Sequence, residues 1–323
     1  MNRRLISTLC AFAALSSAPA WAVPVYSDIY FFGSSTLDTG NFLNATPPNG
    51  QQFAPTASKG YYDGRWQEGY AWSDYLAQSL GFDATSSSEG GTNYAYGIAW
   101  AGPFAGETHS PLENALAFSN QIDAALTQPL KSDALYVVSI GQNDPNVPYN
   151  RTVAEAPQVA GLVIDQLERL QSAGASSFLV QLLGGGPNNL FSSAFNESLL
   201  SGLDGLIAGG ATVSIVDTFA FTSSLTAQSL LDLGITDLNV THNCLGNQAC
   251  RAAAIASATA NTPYLGNQFI TFDGMHLNTK ILQQLANYAL DQLPASPVPE
   301  PDSLVLLIGG LLCMLVRRRT VTA

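Results

Sequence analysis

The chain has 323 residues, a formal net charge of -12, and 46% hydrophobic against only 11% charged residues, which excludes an intrinsically disordered protein. Five of the twelve basic and two of the 24 acidic residues lie in the first 22 residues or after Pro294, so residues 23–294 carry seven against 22, a net of -15. A body this acidic repels nucleic acid and anionic membrane surfaces, and its 272 residues suffice for one sizeable domain.

The first 22 residues read as a secretory signal. Arg3 and Arg4 precede a mostly apolar run from Leu5 to Leu15, and Ala20-Trp21-Ala22 supplies small residues at the two positions that signal cleavage needs. From there, short apolar runs alternate with stretches of helical period, the pattern of a parallel sheet covered by helices on both faces. In such sheets the working residues follow the carboxyl ends of the strands.

A first strand is predicted over Asp28–Phe32. It breaks into a small polar turn, Gly33-Ser34-Ser35-Thr36, where a serine hydroxyl can be exposed and aimed. Trp72, Tyr75, Leu76 and Leu80 then repeat at helical spacing. A strand over Asn93–Tyr96 meets Gly97, where a backbone N–H can approach a ligand closely. The next strand, Leu135–Ile140, leads into Gly141-Gln142-Asn143-Asp144. There Asn143 can aim its side-chain N–H into the crevice, or the Asn-Asp pair can simply close its own turn. A helix follows through Val159, Leu162, Val163, Leu167 and Leu170, stopped by Gly174, and then strands over Phe178–Leu182 and Val213–Val216.

With Cys10 in the signal and Cys313 in the C-terminal tail, only Cys244 and Cys250 remain in the body. In an oxidising compartment they read as one disulfide. A zinc site lacks ligands, since His242 is the only imidazole nearby. A last strand over Phe269–Phe272 runs into Asp273-Gly274-Met275-His276, followed by a helix through Ile281, Leu282, Leu285, Ala286 and Leu290. An Asp three residues before a His at a turn can place a carboxylate on one imidazole nitrogen and leave the other free to serve a serine. His109 has no evident partner.

The strand ends together offer the parts of an acyl-transfer site. Ser35 is the nucleophile, His276 the base, Asp273 its orienter, and the N–H groups of Ser35, Gly97 and Asn143 receive the oxyanion. These residues resemble the GDSL (SGNH) hydrolases. Phe32-Gly33-Ser34-Ser35-Thr36-Leu37-Asp38-Thr39-Gly40-Asn41 is similar to that family's first block, although Ser34 stands where the family has Asp and Thr36 where it has Leu. Gly64-Arg65-Trp66-Gln67-Glu68-Gly69, Gly91-Thr92-Asn93-Tyr94-Ala95, Gly141-Gln142-Asn143-Asp144 and Asp273-Gly274-Met275-His276 match later blocks in order. The resemblance implies a three-layer α/β/α, flavodoxin-like fold around a central parallel sheet. It also implies an esterase or lipase that uses no metal or cofactor, with Ser35, Gly97, Asn143 and His276 as its four named residues. Gly91 is the alternative to Gly97.

After residue 294 comes the linker Ala-Ser-Pro-Val-Pro-Glu-Pro, then 13 uncharged residues from Leu304 to Val316, then Arg317-Arg318-Arg319. Thirteen helical residues rise about 20 Å, short of the ~30 Å hydrocarbon core, which the flanking arginines can extend by snorkelling. Pro299-Glu300-Pro301 followed by an apolar stretch and an Arg cluster resembles the PEP-CTERM sorting tail of Gram-negative bacteria. That resemblance implies a precursor held transiently at the inner membrane, cut by an exosortase-type enzyme and sent to the cell surface or matrix. A plain anchor is the simpler alternative. The expected organisation is thus signal 1–22, hydrolase 23–294 and linker with tail 295–323. The expected function is an exported serine ester hydrolase acting on acyl or acetyl esters. Its alternatives are a non-catalytic surface- or matrix-binding protein on the same fold and an acetylesterase of exopolysaccharide.

Overall fold

A computed structural model describes residues 26–45, 53–185 and 189–294. The expected export signal, proline-rich linker and sorting tail lie outside the described residues. Among the described residues, no helix is long and apolar enough to cross a membrane.

Four strands, β1 (Ile29–Gly33), β2 (Leu135–Ser139), β3 (Ser177–Leu182) and β4 (Thr212–Asp217), form a parallel sheet in the order β1-β2-β3-β4. Ile29 pairs with Leu135 and Gly33 with Ser139, so β1 and β2 end level. Both strands are buried along their whole length, as expected of strands covered on both faces.

Ten helices accompany the described sheet: α1 (Asn41–Ala45), α2 (Trp72–Ser79), α3 (Pro111–Ala115), α4 (Phe118–Ala125), α5 (Ala156–Ser172), α6 (Leu190–Ala208), α7 (Thr218–Ser224), α8 (Ala227–Asp232), α9 (Gln248–Thr259) and α10 (Thr279–Asp291).

Side-chain alternation along the strands builds the three layers. Tyr30, Phe32, Tyr136, Val138, Phe178 and Val180 face Ile122 of α4, Val163 and Leu167 of α5, and Phe195 and Leu199 of α6. Ile29, Phe31, Leu135, Val137 and Leu179 face Trp72 and Leu76 of α2 and Ile281, Leu282 and Leu285 of α10. Each fully buried Phe or Leu contributes about 1.5–3 kcal/mol, so this sandwich is the main source of stability.

Two predicted strands differ. Residues 92–96 run along the free edge of β1, with Tyr94 N–H donating to Phe31 O at 2.8 Å and Tyr96 N–H to Gly33 O at 3.0 Å. They pair with it only as an isolated bridge at Asn93. Asn93 Oδ1 takes the amide of Ala95 at 3.0 Å, curling the segment away from a regular ladder. Counted with this edge, the order is flavodoxin-like.

Phe269–Phe272 does not join the sheet. It makes single bridges to Asp237, Asn243 and Leu277, because Phe272 N–H closes back onto His276 O at 2.8 Å. Asn278 then takes over as the cap of α10, accepting Lys280 N–H at 2.8 Å and donating its side-chain amide to the carbonyls of Asn267 and Phe269. The predicted strand is therefore a strap that delivers residues 273–276 to the helix.

Candidate active site

Ser35 lies in the turn that leaves β1, two residues past the strand's last residue. Gly33 is obligatory there, because a Cβ on it would lie 2.0 Å from the carbonyl oxygen of Ser139. Gln121 of α4 brackets Gly33 with two hydrogen bonds of 2.8 Å, and Ser34 N–H donates to Ser139 O at 3.1 Å. These bonds tie the start of the Ser35 turn to the ends of β1 and β2. Ser34, in place of an acid, is fully buried and accepts from Gln142 Nε2. A neutral hydroxyl–amide pair thus links the Ser35 turn to the Asn143 turn.

The turn Asp273–His276 reaches Ser35 from the far end of the chain. His276 Nε2 lies 2.8 Å from Ser35 Oγ across 241 residues of sequence, and both residues are 8% exposed. His276 Nδ1 lies 2.7 Å from Asp273 Oδ2, while Asp273 Oδ1 accepts the amides of Met275 and His276 at 2.9 and 2.8 Å. Burial opposes the charge on Asp273, but the hydrogen bonds and positive potential of His276 and the two amides win and hold its carboxyl at about 2. With Asp273 ionised, Nδ1 must be the donor, which leaves the Nε2 lone pair for the Ser35 hydroxyl. The arrangement can take a proton from Ser35 and return it to a leaving group.

The segment 61–70 forms the floor. Arg65 forks onto Asp74 of α2 through Nε and Nη2 at 3.2 and 2.9 Å, fixing the segment to the sandwich. The Trp66 ring lies 5.6 Å from the His276 ring, and Trp66 Nε1 donates to Asp38 Oδ2 at 3.2 Å. Tyr61 Oη donates to Asp273 Oδ2 at 2.9 Å. Sequence reasoning did not find Tyr61 or Asp38 as parts of the site. Tyr61 is 212 residues from its partner, and no local pattern marks it.

Gly97, expected as an oxyanion donor, is placed otherwise. Its N–H does not face an open space; it donates to Asp38 Oδ2 at 2.8 Å. The lack of a side chain serves packing, since a Cβ on Gly97 would meet the Trp66 indole at 2.3 Å. Gly91 is no substitute, because its N–H closes a turn onto Ser86 O at 3.0 Å. The next amide, Ile98, has no acceptor among the described residues. It sits at φ +62°, a left-handed conformation that a β-branched residue rarely adopts and that concentrates at functional sites. Asn143 donates one side-chain N–H to Ala99 O at 2.8 Å, and among the described residues its other N–H and the Ser35 amide have no acceptor.

The remaining histidines pair elsewhere: His109 with Glu107 at 3.2 Å and His242 with Asp237 at 2.9 Å. Cys244 and Cys250 are bridged, with Cα atoms 5.2 Å apart. The described residues hold no cluster of three or more His, Cys, Asp or Glu suited to a metal ion.

Comparison with known proteins matches residues 29–289 to a family described as GDSL-like Lipase/Acylhydrolase. The chain is also similar to "Lipase 1" of Photorhabdus luminescens, at 29% identity over 177 residues. That match covers 52% of this chain and 23% of the relative, so the chain spans about a quarter of the length of the relative it matches.

Proposed function

From the chain's membership of the GDSL-like lipase/acylhydrolase family, we propose that it is a serine ester hydrolase with Ser35 as nucleophile. The observation that carries this reading is the continuous relay Asp273–His276–Ser35, with contacts of 2.7 and 2.8 Å. Ser35 Oγ attacks the ester carbonyl carbon as its proton passes to His276 Nε2, and Asp273 stabilises the imidazolium. The tetrahedral intermediate expels the alcohol, which takes the proton back from His276. A water then repeats the sequence on the acyl-Ser35 ester, releasing the acid and regenerating the hydroxyl.

The oxyanion hole is read as the Ser35 amide, the free Asn143 N–H and the Ile98 amide, with Ile98 in the place expected for Gly97. Such donors are worth roughly 10²–10³ in rate each. With a net charge of -15 on residues 23–294, neutral acyl or acetyl esters suit the enzyme better than anionic polymers. Export, a disulfide formed after export and sorting through the C-terminal tail complete the reading.

The test is hydrolysis of p-nitrophenyl acetate and butyrate by the full chain and by Ser35→Ala. The reading expects turnover by the wild type and background rate from the variant; equal rates would overturn it. Acetate release from an acetylated polymer, compared with fatty-acid release from lipid, separates the polysaccharide and lipid versions.

A further inference from the structure

The Asp273 carboxylate accepts one hydrogen bond more than the relay needs. Tyr61 Oη donates to Oδ2 at 2.9 Å, the same oxygen that His276 Nδ1 reaches at 2.7 Å. The other oxygen is filled by the amides of Met275 and His276. Tyr61 is held to this task by its ring, which packs edge-on against Phe272 at 5.1 Å and against Trp66 at 6.2 Å. Trp66 in turn flanks His276. Burial and the neighbouring Asp273 charge push the phenol well above its ordinary value, so it stays a donor wherever the enzyme works.

We propose that Tyr61 is a positioning residue of the hydrolytic site: its hydroxyl fixes the Asp273 carboxylate and draws charge from the oxygen that binds His276, and so sets the pH at which His276 becomes a base. This rests on the ester-hydrolase reading. Two donors on one carboxylate oxygen compete for the same electron density. Tyr61 therefore weakens the hold of Asp273 on the imidazolium while locking the carboxylate plane. Without the phenol, the charge concentrates on the His276 bond, the proton on His276 is held more tightly, and the carboxylate is freer to rotate.

The charged groups near this cluster include two acids and, through its interaction with Glu68, Lys280. Glu68, on the same segment as Tyr61, is buried within electrostatic reach of Asp273. Asp38 approaches through Trp66 Nε1. Among the described residues no Lys or Arg bonds to Asp273. Tyr61 is thus the side-chain donor on that carboxylate besides His276.

The experiment compares the full chain with Tyr61→Phe and with 3-fluorotyrosine placed at position 61, a phenol of nearly the same shape and stronger donor power. The readouts are kcat, KM and the acid limb of kcat/KM against pH, alongside the downfield proton resonance of His276 Nδ1. For Tyr61→Phe the expected result is a fall in kcat of about ten-fold with KM unchanged, and an acid limb about half a pH unit higher. For 3-fluorotyrosine the limb moves to lower pH, and the Nδ1 resonance moves in opposite directions in the two variants.

An acid limb fixed in both variants, even with lost activity, would overturn the proposal by showing that Tyr61 serves packing alone. If Tyr61→Phe fails to fold, the fluorotyrosine limb decides. If the wild type turns over no ester, the functional reading fails, and the Nδ1 resonance still reports whether Tyr61 acts on the Asp273–His276 bond.

Discussion

Gly97 gives its amide hydrogen to Asp38, with 2.8 Å between N and Oδ2 and the Asp38 side chain wholly buried. The same carboxylate accepts the amides of Gly40, Asn41 and Phe42 at the start of α1 and the indole of Trp66. Five donors from three segments converge on one side chain. Asp38 therefore joins the turn after Ser35 to the floor beneath His276 and to the strand edge at Gly97. Replacing it with Ala strands those donors in the core. We expect Asp38→Ala to lose at least about 3 kcal/mol of stability, read from urea unfolding, with little soluble protein recovered. A variant of unchanged stability would remove Asp38 from this role.

Gly97→Ala tests the same junction from the other side. The new Cβ would lie 2.3 Å from the Trp66 ring, so the indole must move, and His276 rests beside it. A displacement of about 1 Å at such a site costs on the order of 10² in rate. The expected outcome is a loss of that size in kcat/KM on p-nitrophenyl butyrate. Retained activity would show that Trp66 does not position His276.

The oxyanion assignment is checked at all three donors. Asn143→Ala should lower kcat by about 10²–10³ and leave KM nearly unchanged, because the lost bond forms only in the transition state. In the covalent adduct of Ser35 with a fluorophosphonate, whose P–O oxygen mimics the oxyanion, amide NMR should show the Ile98 and Ser35 protons moved downfield and that of Gly97 unmoved. A shift at Gly97 with none at Ile98 would reverse the assignment.

Stability should also depend on pH in a definite direction. Burial raises the carboxyls of Asp38 to about 6, Glu68 to about 7 and Asp144 to about 7. Between the ordinary carboxylate range and those values the folded state binds protons that the unfolded chain does not. These three groups therefore favour folding increasingly as pH falls through 7 and 6, and that advantage is absent above about 7. Asp273, held at about 2, acts oppositely: its contribution is complete above the ordinary value of 3.8 and lost as pH falls through 2. The urea midpoint should rise from pH 8 to 5 and drop below about pH 4, with Asp144→Asn flattening part of the first slope. A midpoint falling from pH 8 to 5 would contradict this.

The four sheet strands and the helices α2, α5 and α10 were legible because burial on both faces leaves continuous apolar runs, and a buried helix face repeats at three and four; α6 and α9 carry no such reading in the sequence. β1 begins one residue after its predicted start, and α10 encloses the predicted Ile281–Leu290 period. Phe269–Phe272 was misread because a strap held by single bridges has the same apolar composition as a strand. Gly97 was read as a point of close approach, which it is, but the approaching group is an indole. Asp38 and Tyr61 escaped because their roles depend on partners 59 and 212 residues away, and no local period encodes such contacts.

The central claim is that His276 activates Ser35. It is tested most directly by fluorophosphonate labelling of the intact protein, with the adduct located by mass spectrometry. The account predicts a single adduct on the peptide containing Ser35, absent from Ser35→Ala and slowed by at least about 10³ in His276→Ala. An adduct at another residue, or labelling of Ser35 at the same rate without His276, would contradict it.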